Sequence, residues 1–254
     1  MITLLDALSS QHPESSKNTL RGWIAHGRVF VDGRSQRINT EIDPEQQITL
    51  GAKREPLGKS AYVVYEDSSF IVVDKPAGLL SVATDKETIQ TLHNLLKRRF
   101  HRPRIVPVHR LDRETSGLIV FAYSDETLQA LKDQLQKRKM HRSYEATVQG
   151  IVEADRGTWS YPLFERRDFH VVVDPKGQTA VTHFRVIKRR KQTTLLEVEL
   201  ETGRKHQIRV HCSHAGHPIL GDKRYGAAAG RMMLHAKALR LVHPKTGKLM
   251  HFTA

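Results

Sequence analysis

The sequence has a single cysteine, Cys212, among its 254 residues. One cysteine excludes an internal disulfide and suits a reducing compartment. No stretch approaches the ~20 consecutive apolar residues that a helix needs to cross a bilayer. The start, MITLLDALSS, also lacks the basic region and the long apolar stretch of a signal peptide. These absences predict a cytoplasmic protein with no membrane partner.

Acidic residues are scarce relative to basic ones. The chain has 41 Lys and Arg against 27 Asp and Glu, a formal net charge of +14, and its pI is near 10.0. Residues 1–60 hold eight basic and seven acidic residues, so residues 61–254 carry +13 of this charge. Such an excess attracts polyanions, which makes nucleic acid the leading class of partner. A basic, soluble protein without such a partner fits the composition equally well.

The sequence also lacks the signatures of several cofactor and metal sites. It contains no G-x-x-x-x-G-K-[ST] loop, no G-x-G-x-x-G fingerprint, no H-E-x-x-H and no paired C-x-x-C. Its candidate metal ligands are clustered in KHQIRVHCSHAGHP: His206, His211, Cys212, His214 and His217. Histidines three apart on a helix can share a face and hold zinc, but near basic residues they also bind phosphate or pack. We predict no metal and no cofactor, and the roles of the four histidines stay open.

The chain is predicted to form two units. Residues 1–55 contain a helix with Leu20, Trp23 and Ile24 on one face, followed by the short strand Val29–Val31. The polar, Gly- and Pro-containing stretch 51–60 reads as a linker. Residues 61–254 are strand-rich, with amphipathic helices predicted over 85–100 and about 125–139. Alternating patterns in SYEATVQG, THFRVIKRR and TLLEVELE predict antiparallel strands, so we expect an α+β fold with a mixed, mainly antiparallel sheet and flanking helices.

The amino-terminal unit resembles the small RNA-binding domain named after ribosomal protein S four. The shared pattern is a helix, a glycine and a V-x-V-[ND]-G strand and turn, carried here by Gly27, Val29, Val31, Asp32 and Gly33. The resemblance implies that basic side chains of the helical face hold RNA phosphates. The residues concerned are Lys17, Arg21 and Arg28. Ordinary solvated charges on a helix are the alternative interpretation.

The larger unit resembles the RluA family of pseudouridine synthases. HRLDRETSGL, residues 109–118, is similar to the family's central motif, and a related family has Gly in place of the leading His. DKPAGL, SYEATVQG, TGRKHQIRVH with GHPILGDKRYG, and MLHAKALRLVHP resemble its other motifs in the expected order. Together these blocks cover nearly all of residues 62–254. The resemblance implies an RNA-modifying isomerase without a cofactor.

The resemblance also implies roles for single residues. Asp112 is expected to be the catalytic residue, paired with the cation of Arg209. Tyr144 is expected to stack on the uracil, above a pocket lined by Ile208. Arg110 is expected to occupy the gap left by the extruded base, while Lys75 and Pro76 belong to a motif taken as structural.

These residue types suit the chemistry on physical grounds. A uridine must leave the base stack at a cost of about a few kcal/mol, and stacking on an aromatic side chain returns roughly 1–3 kcal/mol. An ionised carboxylate then adds to the sugar or ring, or removes a proton from the 2′ carbon. Nearby arginines favour the charged form of such a group.

Besides a His-ligated, metal-dependent RNA enzyme, two alternatives to the pseudouridine synthase remain at this stage. A surface salt bridge would explain Asp112 without chemistry. A passive RNA-binding protein would explain the charge, but it leaves a carboxylate in the middle of an anion-binding surface. We predict a monomeric enzyme acting on structured RNA. Ribosomal RNA is favoured by the amino-terminal unit, and transfer RNA is the second candidate.

Overall fold

A computed structural model describes residues 1–25, 27–51, 61–84, 90–226 and 230–254. Within these ranges the chain forms five helices and seventeen strands. The helices are α1 (Leu4–Gln11), α2 (Lys17–Ala25), α3 (Leu92–Phe100), α4 (Asp125–Gln136) and α5 (Gln207–His214). The strands are β1 (Ile2–Thr3), β2 (Val29–Val31), β3 (Arg34–Gln36), β4 (Glu41–Ile42), β5 (Ile48–Leu50), β6 (Tyr62–Glu66), β7 (Phe70–Lys75), β8 (Val106–Pro107), β9 (Ser116–Ala122), β10 (His141–Gln149), β11 (Arg156–Ser160), β12 (Leu163–Glu165), β13 (Val171–Val173), β14 (Val181–Arg189), β15 (Thr193–Leu200), β16 (Leu234–Val242) and β17 (Leu249–Thr253). None of the helices in these ranges combines the length and the apolar character needed to cross a bilayer.

Thirteen of these strands form one branched sheet. Its longest path runs β11-β14-β15-β10-β16-β17-β3-β2-β5, and β9 leads from β16 to β7 and β8, with β6 beside β7. The pairs β9–β16 and β3–β17 are parallel, and the other pairs of this sheet are antiparallel. Two-stranded sheets form from β1 with β4 and from β12 with β13. The predicted α+β fold with a mixed, mainly antiparallel sheet is confirmed.

The strands β7 and β9 are buried on both faces and separate two cores. Successive side chains of a strand point to opposite faces, so Ile71 and Val73 enter the first core while Phe70 and Val72 enter the second. Helix α3 covers the first core with Leu92 and Leu96, and helix α4 covers the second with Leu128 and Leu131. Helices on both faces therefore fix the position of β9, and with it the loop that precedes β9.

A glycine allows the close contact between β9 and β16. A Cβ atom on Gly117 would lie 2.3 Å from the carbonyl oxygen of Ala236, a distance that real Cβ atoms do not adopt. The backbone of Gly117 also has a positive φ of 109°, which favours glycine. This contact sets the parallel pairing that joins the two halves of the sheet.

Residues 2–50 build a third, smaller core. Helices α1 and α2 pack over β2 and β5 with Leu4, Leu8, Leu20, Ile24, Val29 and Val31 among the buried residues. Asp32 and Gly33 both have positive φ, 48° and 75°, which is the geometry of a tight two-residue hairpin turn. Strand β3 pairs with β17 through Arg34 and His251, so the amino-terminal strands extend the large sheet. Most of the predicted linker, residues 52–60, lies outside the described residues.

The predicted helix over 85–100 begins later than expected. Thr91 has an extended backbone, with φ −123° and ψ 153°, and its hydroxyl accepts the N–H of Asn94. A threonine that caps a helix in this way stands before its first turn, so the prediction was wrong for residues 90 and 91. Residues 85–89 lie outside the described residues. The second predicted helix ends at Gln136, three residues before its expected end.

Candidate active site

Asp112 lies in the loop between β8 and β9, and the segment after β7 holds this loop. The Ser81 hydroxyl donates to the carbonyl of Leu111 over 2.7 Å and accepts the Leu111 N–H over 3.1 Å. On the other side of Asp112, the Gly78 N–H donates to the carbonyl of Arg113 over 2.8 Å. The Nε–H of Arg113 donates to the carbonyl of Gly78 over 3.0 Å. The backbone on both sides of Asp112 is therefore fixed.

Lys75 is fully buried beneath the same loop. Its ammonium donates to the carbonyls of Pro76, Leu79 and Arg113 over 3.0, 2.7 and 3.1 Å. Burial lowers the pKa of Lys75 to about 8, although the negative charge of Asp112 acts to raise it. These contacts tie the DKPAGL segment to the loop of Asp112, which is a structural role.

Arg209 joins two carboxylates. Its Nη1 donates to Asp112 Oδ2 over 3.0 Å, while its Nε and Nη2 donate to Asp222 Oδ2 and Oδ1 over 2.7 and 2.8 Å. Burial lowers the pKa of Arg209, but the hydrogen bond to Asp222 and the charge of Asp112 outweigh it and raise that pKa. A two-pronged bond of this kind fixes the plane of a guanidinium. Asp222 therefore holds Arg209 so that one N–H points at Asp112.

Asp112 keeps one oxygen without a hydrogen bond. Its Oδ2 accepts from Arg209, and within the described ranges its Oδ1 has no hydrogen-bond partner. The side chain is 27% exposed and lines the cleft described below. An ionised carboxylate with one oxygen held and one open can act as a base or as a nucleophile.

Helix α5 places Ile208 and Arg209 at the site, and Gln207 fixes the start of this helix. The Gln207 side-chain amide donates to the carbonyl of Val181 over 3.0 Å. Its carbonyl oxygen accepts the Thr202 hydroxyl over 2.8 Å. Since Gln207 is buried and bonded to β14 and to the segment after β15, the first turn of α5 has a defined position beside β14.

Tyr144, Ile208 and Arg110 surround a small cavity next to Asp112. The cavity has a volume of about 80 Å³. Tyr144 projects from β10 and is 5% exposed, and burial raises its pKa, so the phenol is neutral. Ile208 is buried in the first core, and Arg110 is exposed at the rim. The structure thus brings all five residues of the predicted reaction site together.

A larger, strongly basic cleft opens outside this cavity. Its volume is about 890 Å³. The described residues that line it include eight basic side chains and three acidic ones, Asp112, Glu114 and Glu201. The basic ones are Arg110, Arg113, Arg138, Arg142, Arg204, Lys205, Arg209 and Arg224. Such a surface concentrates a polyanion next to Asp112.

The four clustered histidines do not converge. His206 Nδ1 lies 2.7 Å from the Tyr225 hydroxyl oxygen, and His217 Nδ1 lies 3.0 Å from a backbone carbonyl, that of Gln149. His211 Nε2 lies 3.0 Å from the Tyr161 carbonyl, and His214 packs edge-on against the same tyrosine ring. In the part of the chain that the structure describes, no three His, Cys, Asp or Glu side chains are grouped to hold a metal ion.

The predicted RNA-binding cations of the amino-terminal unit lie in different environments. Lys17 and Arg21 are exposed on α2, and Arg21 donates to the Asn18 side chain over 3.2 Å. Arg28 donates to the Gly51 carbonyl over 3.3 Å, and its guanidinium lies 5.1 Å from the Trp23 ring centroid. Arg28 therefore also contributes to packing within this unit.

Asp222 is the residue of the site that sequence reasoning missed. It stands within GHPILGDKRYG, a segment that was noted without a role for its carboxylate. The sequence did contain a signal for Asp222: it is the single acid at the end of an apolar run, close to the arginine motif. The pairing itself depends on how the loop after α5 folds back, which the sequence pattern does not specify.

The sequence profile of the RNA pseudouridylate synthase family matches residues 69–214. Ribosomal large subunit pseudouridine synthase D of Pseudomonas aeruginosa is 39% identical over 279 residues, covering 97% of this chain and 86% of the relative. The uncharacterized RNA pseudouridine synthase YlyB of Bacillus subtilis is 35% identical over 270 residues, covering 97% and 88%. Among solved structures, human RNA pseudouridylate synthase domain containing 1 is similar with a TM-score of 0.65 and 25% identity, covering 80% of this chain and 86% of that one.

Proposed function

The chain belongs to the RNA pseudouridylate synthase family, and from this premise we propose that it isomerises specific uridines of ribosomal RNA to pseudouridine, with Asp112 as the catalytic residue. The observation that supports the role of Asp112 is the bonding of its carboxylate. Oδ2 accepts from Arg209, Oδ1 has no hydrogen-bond partner among the described residues, and the side chain lines the same cavity as Tyr144 and Ile208.

The reaction needs no redox partner and no transferred group. The bond between uracil N1 and ribose C1′ breaks, the base turns, and a bond forms between uracil C5 and C1′. The hydrogen on C5 leaves to water and N1 gains one, so atoms balance. Asp112 Oδ1 either adds to the sugar or ring, or removes a proton from the 2′ carbon. In either case Arg209 holds Oδ2 during the step.

The surrounding residues make the uridine accessible. Tyr144 offers an aromatic face for the flipped uracil, and Ile208 forms the apolar wall of the pocket. Arg110, exposed at the rim, fills the gap that the base leaves in the RNA stack. Extrusion costs about a few kcal/mol, and stacking together with phosphate contacts in the basic cleft offsets it.

The finer assignments rest on the motifs. The leading His109 of the central motif supports the RluA branch of the family. The hairpin turn at Asp32 and Gly33 supports an RNA-binding domain of the ribosomal protein S four type over residues 1–55, followed by a catalytic domain over 61–254. In this division Lys17, Arg21 and Arg28 contact RNA phosphates.

The substrate assignment is supported by relatives that are named for the large ribosomal subunit. A ribosomal RNA substrate is consistent with the cytoplasm, and we propose that the enzyme acts there as a monomer without a cofactor. RNA binding should weaken steeply with salt, because Lys and Arg contacts to phosphate release counterions. An affinity that stays constant between low and moderate salt would assign RNA binding to another surface.

The first test is tritium release from RNA labelled at carbon five of uridine. Ribosomal RNA from cells lacking this protein is incubated with purified protein and a chelator, and tritium in water is counted. We expect release with wild type and none with Asp112→Asn. Release from transfer RNA alone would correct the substrate. Tight binding without release from either RNA would favour a passive RNA-binding protein.

A further inference from the structure

The imidazole of His206 lies between Asp112 and Tyr225. Its Nε2 is 3.8 Å from Asp112 Oδ2, and its Nδ1 is 2.7 Å from the Tyr225 hydroxyl oxygen. The two ring nitrogens thus face a carboxylate on one side and a phenol on the other. The side chain is 10% exposed, so few waters share this position.

The backbone of His206 is unusual for this residue type. It precedes α5 with φ 54° and ψ 18°, a left-handed conformation, and its side chain makes no capping hydrogen bond to the helix. Non-glycine residues in this region are uncommon and gather at functional sites. The conformation directs the imidazole away from the helix and toward Asp112.

The surroundings of His206 favour the neutral imidazole at pH 7. Burial lowers its pKa to about 4, and the nearby charges of Arg209, Arg224 and Lys205 act in the same direction, while Asp112 opposes them. A neutral imidazole carries one N–H, so it donates from one nitrogen and accepts at the other.

The Tyr225 hydroxyl can select which nitrogen carries the hydrogen. It accepts the N–H of Val171 over 3.2 Å and lies 2.7 Å from His206 Nδ1, so it favours the tautomer in which Nδ1 accepts the hydroxyl hydrogen. The Nε2–H of His206 then faces Asp112 Oδ2. The other tautomer would turn a lone pair toward the carboxylate, which is repulsive.

We propose that His206 is a positioning residue that donates its Nε2–H to Asp112 Oδ2 when RNA is bound, and that Tyr225 holds it in the required tautomer. The inference rests on the proposed catalytic role of Asp112. At 3.8 Å the contact is longer than a hydrogen bond, and such contacts often shorten in the substrate complex. With Arg209 and His206 both on Oδ2, Oδ1 is the reacting oxygen. A neutral second donor orients the carboxylate without adding a second positive charge that would reduce its basicity.

The test separates this role from a purely structural one. Asparagine adopts the left-handed backbone and begins helices well, but its side chain is too short to reach Asp112. Glutamine places an amide N–H near the position of Nε2. His206→Asn should therefore lower kcat roughly ten- to a hundredfold, the range typical of groups that orient a reactive ligand, with little change in KM for RNA. His206→Gln should recover part of the loss.

His214→Asn is the matched control. His214 lies on the same helix but packs against Tyr161, so its replacement should leave kcat unchanged. If His206→Asn fails to fold, Tyr225→Phe provides the second variant. It keeps the ring and removes the hydroxyl, and we expect kcat to fall while the melting temperature and RNA affinity stay near those of wild type.

The outcomes distinguish this inference from the proposed function. Full kcat in His206→Asn, or in a folded Tyr225→Phe, would overturn the role of His206 while wild-type tritium release still supports the synthase. A loss of kcat equal in the Asn and Gln variants would also overturn it, because a donor at the Nε2 position would then be irrelevant. Absence of release from wild type would instead reject the proposed function itself.

Discussion

Asp112 and Asp67 have almost the same solvent exposure but opposite hydrogen-bond environments. Their side chains are 27% and 22% exposed. Asp67, in the turn between β6 and β7, is saturated: Oδ1 accepts the N–H groups of Ser69 and Phe70, and Oδ2 lies within hydrogen-bond distance of the Tyr65 hydroxyl and His243 Nε2. Among the described residues, the Asp112 side chain accepts one hydrogen bond, from the Arg209 cation to Oδ2, and its Oδ1 has none.

If Asp112 has the proposed catalytic role, occupancy of the carboxylate oxygens, and not solvent exposure, separates it from the structural acid Asp67. A carboxylate whose lone pairs are all engaged has no electron pair for a substrate. Asp222 is closer to Asp67 in this respect, since both of its oxygens accept hydrogen bonds, Oδ2 from Arg209 and Oδ1 from Arg209 and the backbone of Arg224 and Tyr225. Aspartate thus stabilises the turn before β7, beside the second core, and also lies in the proposed reaction site beyond the other end of β7.

The largest expected effect distinguishes Asp112 from the other two acids. Asp112→Asn should reduce turnover by on the order of 10⁴-fold or more, as for other residues that carry a reaction. Stability should hardly change, because the amide keeps the shape and a donor or acceptor for each neighbour. RNA affinity should be retained or rise, since an anion is removed from the cleft. Tritium release measures turnover, urea unfolding measures stability, and filter binding measures RNA affinity. Near-normal turnover would reject the role of Asp112.

Asp222→Ala should lower both activity and stability. Its removal leaves the guanidinium of Arg209 with one carboxylate instead of two, in a buried position. Removing one partner of a buried ion pair typically costs about 3–5 kcal/mol, and turnover should fall because Arg209 is no longer fixed against Asp112. Urea unfolding measures the loss of stability, and single-turnover kinetics measure the fall in turnover. A stable variant with full activity would show that Arg209 needs no second acid.

Asp67→Asn should lower stability and leave turnover unchanged. Hydrogen bonds to a charged group contribute about 1.5–3 kcal/mol, and several neighbours of Asp67 would lose theirs. Burial raises the pKa of Asp67, but the N–H groups of Phe70 and Ser69, together with His243 and Tyr65, lower it below the ordinary value of 3.8. A folded-state pKa below the unfolded one gives stability that is present at neutral pH and is lost as pH falls through the folded pKa.

The pH dependence of the unfolding free energy tests whether this stability is lost as pH falls. The difference in unfolding free energy between wild type and Asp67→Asn should be complete at pH 7 and shrink below about pH 4, near the unfolded pKa. Urea midpoints at pH 7, 5 and 3.5 measure it. A difference that does not vary over this range would mean that packing, and not the charge, is what Asp67 supplies.

The smallest expected effect concerns the amino-terminal unit. Lys17→Ala with Arg21→Ala should weaken RNA binding at low salt and reduce the slope of log affinity against log salt by about one for each lost contact. Turnover at saturating RNA should not change. Lys188→Ala with Arg190→Ala removes two exposed cations that do not line the cleft, and serves as the control. Equal losses in the two pairs would indicate a general charge effect.

Much of the site was predictable because its residues stand in ordered sequence motifs. Asp112, Tyr144, Ile208 and Arg209 were assigned together from their resemblance to one family, and the structure gathers them around one cavity. The alternating pattern of SYEATVQG predicted the strand that holds Tyr144, whereas the helix that holds Ile208 and Arg209 was not predicted.

Several pairings that were not predicted join segments far apart in the chain. His243 contacts Asp67 because the end of β16 lies beside the turn after β6. The parallel pairs β9–β16 and β3–β17 likewise depend on the order of strands in the sheet. Side-chain periodicity predicts that a strand forms, and it does not specify the neighbour.

The pairing of β3 with β17 has a consequence for biosynthesis. The ring centroids of Phe30 and Phe252 are 5.6 Å apart. The backbones also approach closely, since a Cβ atom on Gly33 would lie 2.2 Å from the backbone oxygen of Leu249. The amino-terminal unit leaves the ribosome first, but the strand that covers Phe30 follows every other helix and strand of the described chain. The ring of Phe30 can contact Tyr65 earlier, but it lacks its partner Phe252 until the end of the catalytic part is made. A nascent chain stalled before residue 249 is the form of this protein that we expect chaperones to recognise.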